Sequence, residues 1–224
     1  MASYVIHGFL VVACALHQQV FGLAFPGIVP TPPTWPQAFS VSFSEILKFS
    51  GEVLAKNNGT WYYDYANRRA RFVHGRGQRN SFCARQGLSP KDPQAPCSLV
   101  FLPGNMYVFY QESWTCCRLC GTDEGCTILK PDWIHSGSVL LSVETINGVK
   151  CYGYGKHGAV SVYDVLYSDE SGTMCRYHEV VRNTQHNLTF YRDTYKVGPQ
   201  PDWLFDIPKI CSVICPHPFP QPPN

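Results

Sequence analysis

Apolar and polar residues alternate in steps of two through most of this chain, the signature of half-buried strands. Phe39, Val41 and Phe43 alternate with Ser40, Ser42 and Ser44. Trp61, Tyr63 and Tyr65 continue the habit to a turn at Ala66 and Asn67, and Ala70 and Phe72 alternate with Arg69 and Arg71 on a return strand. Strands over 98–102 and 106–110 flank Pro103, Gly104 and Asn105, which predicts a hairpin. Val139, Leu141 and Val143 lead to Asn147-Gly148 and a strand over 149–154, the strongest hairpin signal in the chain. Strands over 160–167 and 174–181 are joined by residues 168–172, and 187–197 adds one more. The only helical pattern is one turn over 44–48. The pattern predicts a mainly β protein, an antiparallel meander.

The ends depart from this pattern. An apolar run over 4–16 is too short for a membrane span, which needs about 20 residues, and fits a signal peptide over 1–24 with Ala24 at its end. Residues 25–37 form a Pro-rich arm, 38–215 the β domain, and 216–224 a Pro-rich tail. No later stretch predicts a transmembrane segment.

Eleven cysteines sharpen the compartment. Cys14 lies in the leader, leaving Cys83, Cys97, Cys116, Cys117, Cys120, Cys126, Cys151, Cys175, Cys211 and Cys215. An even set behind a leader predicts a disulfide framework, hence a secreted protein or one of the lysosomal or vesicular lumen. Pairing is not deducible from spacing, although adjacent Cys116 and Cys117 should reach different partners. The sequons at Asn58 and Asn187 predict surface glycans in that compartment.

Charge adds one feature to a near-neutral chain of formal charge +2. Arg68, Arg69, Arg71, Arg76, Arg79 and Arg85 follow one another with no acid between them. This segment suits an anionic glycan or matrix partner, or equally a solvated hairpin edge. Nucleic acid does not fit the compartment.

Enzyme motifs are missing or misplaced. Gly153, Gly155 and Gly158 match G-x-G-x-x-G, but a β pattern follows instead of the helix that would hold a pyrophosphate. The Cys116–Cys126 cluster lacks two well-spaced Cys/His pairs for zinc. Cys175, His178 and Glu179 lie close, but on a strand His178 points away from the other two. Asp169 and Glu170 suit a turn, with calcium as the alternative. No cofactor is predicted.

Residues 59–71, with their tyrosine-aspartate strand, Asn turn and alternating arginines, resemble the ependymin-related family of secreted glycoproteins. The resemblance continues at Cys97, at Cys116 or Cys117, at Cys175, and at a closing D-x-x-F-x-x-P-x-x-C from Asp202 to Cys211. Cys83, Cys151, Cys215 and the Cys116–Cys126 cluster look additional to the family pattern. The resemblance implies a fold like bacterial lipoprotein carriers: one or two curved antiparallel sheets, a half-barrel or sandwich, around an apolar pocket. It also implies a lipid or other hydrophobic ligand, homodimers, calcium and glycans. Tyr63, Tyr65, Phe72, Tyr107, Phe109 and Phe190 are the candidate pocket lining. The expected function is non-enzymatic binding of a lipid-like ligand, with glycan or protein binding through the arginine hairpin as the alternative.

Overall fold

The computed structural model describes residues 30–77, 83, 92, 94–158 and 163–216. The leader, arm residues 25–29, Arg79, Arg85 and tail residues 217–224 lie outside the described residues. Eleven strands form one sheet: β1 (Ala38–Phe49), β2 (Glu52–Asp64), β3 (Arg69–His74), β4 (Cys97–Leu102), β5 (Asn105–Tyr110), β6 (Thr115–Gly121), β7 (Val139–Ile146), β8 (Val149–Lys156), β9 (Tyr163–Ser168), β10 (Met174–Val181) and β11 (Thr184–Val197). Every neighbouring pair is antiparallel.

The order is β6-β5-β4-β3-β2-β1-β11-β10-β9-β8-β7. Sequence neighbours pair everywhere except between β6 and β7, while β1 and β11 pair at the centre. The meander is thus joined at its two ends and cut in its middle. Residues 122–138 fill that interruption. The sheet is curved and open, with edges at β6 and β7.

Alternation sets the faces. Phe39, Val41, Phe43, Glu45 and Leu47 are all buried on the inner face of β1. The expected helical turn over 44–48 is therefore strand, because β1 pairs with β2 and β11 out to Phe49. The inner-face cluster continues through Trp61 and Tyr63 of β2, Tyr152 and Tyr154 of β8, Leu166 of β9 and Leu188 and Phe190 of β11. Asn147 and Gly148 take φ of 50° and 78°, the left-handed pair that a tight β7–β8 hairpin requires.

The glycine motif has a packing reason. A Cβ on Gly153 would lie 2.6 Å from the Tyr167 ring, and one on Gly155 2.5 Å from the Tyr163 ring. Both rings occupy the space a side chain would take there, as when an aromatic covers a strand glycine.

Five disulfides use all ten cysteines from Cys83 onward: Cys83–Cys97, Cys116–Cys211, Cys117–Cys215, Cys120–Cys126 and Cys151–Cys175. Cys116 and Cys117 point to opposite faces of β6 and do reach different partners. Both partners lie in the segment after β11, a strap that crosses the outer face to Cys211 and turns around the β6 edge to reach Cys117 from Cys215. Its 3-10 turns are Asp202–Phe205 and Lys209–Ser212. It ends in a parallel bridge between Ile214 and Arg118, which covers part of the β6 edge. None of the described helices is long and apolar enough to cross a membrane.

Candidate functional site

The inner face of the sheet is an aromatic cup. Trp61 of β2 stacks on Phe72 of β3 at 5.0 Å and on Phe190 of β11 at 6.1 Å. Phe39 stacks on Tyr63 at 4.8 Å, and Tyr63 on Tyr65 at 6.3 Å. Such contacts add about 0.5–1.5 kcal/mol each beyond burial.

Two segments outside the sheet fill this cup. Trp35, on the Pro-rich arm, packs against Trp61 at 5.2 Å and Tyr63 at 5.7 Å. Ile134 and Trp133 come from the 122–138 loop, Ile134 fully buried and Trp133 5.8 Å from Trp35. The two segments hold each other: Trp35 N–H donates to Pro131 O at 3.0 Å, and Thr34 Oγ1 bonds His135 Nε2 at 2.9 Å. They hold the sheet through tyrosine hydroxyls. Tyr63 donates to Leu129 O at 2.8 Å, and Tyr154 donates to Pro30 O.

The far end of the inner face is polar. Glu45 of β1 accepts from His186 of β11 at 2.6 Å and faces His74 of β3 at 3.5 Å. His186 also lies 3.7 Å from Glu179 of β10. Burial alone would push the Glu45 carboxyl up, but the His186 hydrogen bond and the His74 and His186 charges hold it below its ordinary value. Burial works against a charged His186, yet its bonds to Glu179 and Glu45 raise it to about 9. Burial dominates at His74 and lowers it. His74 also sits within 4.8 Å of the Cys83 and Cys97 sulfurs, but those sulfurs are bonded to each other.

The predicted lining residues divide between two faces. Tyr63, Tyr65, Phe72 and Phe190 stand on or against the inner cluster. Tyr107 and Phe109 point the other way, into a cluster with Cys116, Cys211 and Ile207 beneath the strap. Trp35, Trp133 and Ile134 were missed because they lie outside strand patterns. A lone Trp within the Pro-rich arm was the available signal. Pro131-Asp132-Trp133 and Pro201-Asp202-Trp203 share a sequence but not a setting, since Trp133 turns inward and Trp203 is 67% exposed.

The arginine hairpin is largely engaged within the molecule. Arg69 pairs with Asp64 at 2.8 Å and Asp202 at 2.7 Å, and covers the Phe205 ring at 4.2 Å. Arg71 donates to Ser98 Oγ at 3.1 Å and Leu204 O at 2.7 Å. Arg76 pairs with Asp92 at 2.5 Å and with Glu112. Arg68 occupies the exposed turn. Arg69 and Arg71 fasten the strap to β3.

Both sequon asparagines flank β1 on the outer face. Asn58 lies opposite Ser44, is exposed, and accepts from Tyr191 Oη at 3.2 Å. Asn187 lies opposite Ile46 and bonds His178 Nδ1 at 2.6 Å. Asp169 Oδ1 caps its own turn through Ser171 and Thr173, Oδ2 pairs with Arg192, and Glu170 accepts from Tyr152 Oη at 2.9 Å. An open hollow of about 650 Å³ lies between arm and strap, lined by Gln37, Asp64, Arg69, Gly198 and Asp202 among others.

No family model matches the chain, and no curated protein matches it. Solved structures with a similar course include an uncharacterized conserved protein from Thermus thermophilus, at 8% identity and TM-score 0.49 over 80% of this chain and 90% of that one. A LolA superfamily protein from Nitrosomonas europaea gives 10% and 0.37 over 77% and 91%. LprF from Mycobacterium bovis gives 8% and 0.35 over 77% and 90%. The ependymin-related resemblance has no counterpart among these matches. What the chain shares with LolA-superfamily structures is a coarse likeness of fold, with no activity attached.

Proposed function

We propose that this protein is a secreted, non-enzymatic binder of a hydrophobic, lipid-like ligand, held on the inner face of its curved sheet. One observation carries the reading. The aromatic inner face is covered by two segments that pair with no strand, the Trp35 arm and the Trp133–Ile134 loop. Any single sheet must cover its apolar face with something. An apolar ligand shares this buried area when the two segments part to admit it, and its binding rests on that area with a few polar groups for orientation.

Tyr63, Tyr65, Phe72 and Phe190 form the wall against which such a ligand lies. Titration with a fluorescent fatty acyl probe tests this. Saturable binding that quenches the buried tryptophans, and competes with unlabelled acyl chains, is the expected result. Probe bound only to the outside, with no change in tryptophan emission, would overturn the reading.

A further inference from the structure

Buried tryptophans normally place the indole N–H on an acceptor. Three of this chain's five do not. Trp35 is 4% exposed, Trp61 is 6% exposed, and the Nε1 atom of Trp133 is buried, yet among the described residues none of the three N–H groups has a hydrogen-bond partner. The other two, Trp114 and Trp203, are 64% and 67% exposed and can reach water. The three orphaned indoles are not scattered. Trp35 lies 5.2 Å from Trp61 and 5.8 Å from Trp133, so all three belong to the cluster where arm, loop and β2 meet.

The same cluster satisfies its tyrosines. The hydroxyls of Tyr63, Tyr154 and Tyr177 are bonded to Leu129 O, Pro30 O and Asp164. The indoles are left over, and all are donors. An indole N–H cannot accept, so the missing partner is an acceptor. Lys156 stands at the edge of this group, its ammonium 5.7 Å from the centre of the Trp133 ring and bonded to Trp133 O and Ser136 O.

We propose that the three indoles are the polar recognition site of the inner face, and that its ligand is an acyl chain whose carboxylate or ester carbonyl oxygen accepts from them. This rests on the preceding reading that the inner face holds an apolar ligand, and names the ligand's class. Leaving a buried donor unpaired is costly, so an oxygen-bearing chain gains over a plain hydrocarbon of equal length. The acid and the ester share this acceptor chemistry and differ in charge, to which Lys156 responds.

The test uses the full secreted chain with three probes: dodecanoic acid, its methyl ester and dodecane. Each is titrated while the indole Nε1–H resonances are followed by ¹⁵N NMR. The acid, the ester or both should bind about tenfold or more tightly than dodecane. The resonances of Trp35, Trp61 and Trp133 should move downfield with the oxygenated probe and stay in place with the hydrocarbon. Trp61→Phe keeps a ring on the inner face but removes one donor, and should narrow the affinity ratio between the oxygenated probe and dodecane. The wild-type resonances decide the matter if that variant folds poorly. Equal affinity for all three probes with unmoved indole resonances would overturn the acceptor site and leave apolar binding intact. Binding of none would overturn both.

Discussion

Glu45 holds a carboxylate inside the sheet, and its partners bind the far end of the inner face together. Replacing it by Gln leaves a charged His186 with Glu179 alone. Breaking a buried pair of this kind costs about 3 kcal/mol or more. The Glu45→Gln variant should lose that much in urea denaturation, and the His186 titration midpoint should fall from about 9 when followed by NMR. The two histidines also predict the pH profile, starting from an unfolded value of about 6.5. His186 is raised when folded, so its contribution is complete below about 6.5 and is lost as pH climbs to about 9. His74 is lowered when folded, so stability falls as pH drops below about 6.5. Melting temperature should therefore peak near pH 6.5 and decline toward 9, with the alkaline decline reduced in His186→Gln. A flat profile between those limits would contradict the charged network. Sequence pattern missed this cluster for a physical reason. Glu45 places a charge where β1 alternation calls for an apolar residue, so the segment over 44–48 looked helical. Its partners are 29 and 141 residues away.

Elements with local signals were legible. The Asn147-Gly148 hairpin, the β2–β3 turn and the β4–β5 hairpin are where turn chemistry and alternation place them, because both act over a few residues. The bare strand at Gly153 is also local, and Gly153→Ala should drive a methyl into the Tyr167 ring, costing about 1–3 kcal/mol in chemical denaturation. The strap was not legible, although its closing motif was noticed. Its role depends on Cys116–Cys211 and Cys117–Cys215, which close spans of 95 and 98 residues that no short window contains. Removing the first bridge by Cys116→Ser with Cys211→Ser should cost about 2–4 kcal/mol. Amide exchange should quicken in β5 and β6, where Tyr107 and Phe109 lose their cover. Unchanged exchange there would show that Cys117–Cys215 and the arginine contacts suffice to hold the strap.

At the scale of the whole molecule, the pairing of β1 with β11 converts a meander into a cup. Nothing in the alternation of either strand announces it, because pairing partners across the chain leave no local trace. The same holds for the filling of the cup. Aromatic alternation marked Tyr63, Phe72 and Phe190 as inward candidates, but Tyr107 and Phe109 share that alternation and face the strap instead. Face is decided by which side the chain's own ends cover. On the proposed reading, the arm and the 122–138 loop make the apolar sheet face a site that exchanges one apolar occupant for another. Native mass spectrometry of the protein secreted by eukaryotic cells tests this most directly. The account predicts a bound apolar species, released by organic solvent and recovered by adding an acyl chain to the stripped protein. A protein with no bound apolar species, which takes up no acyl chain, would contradict it.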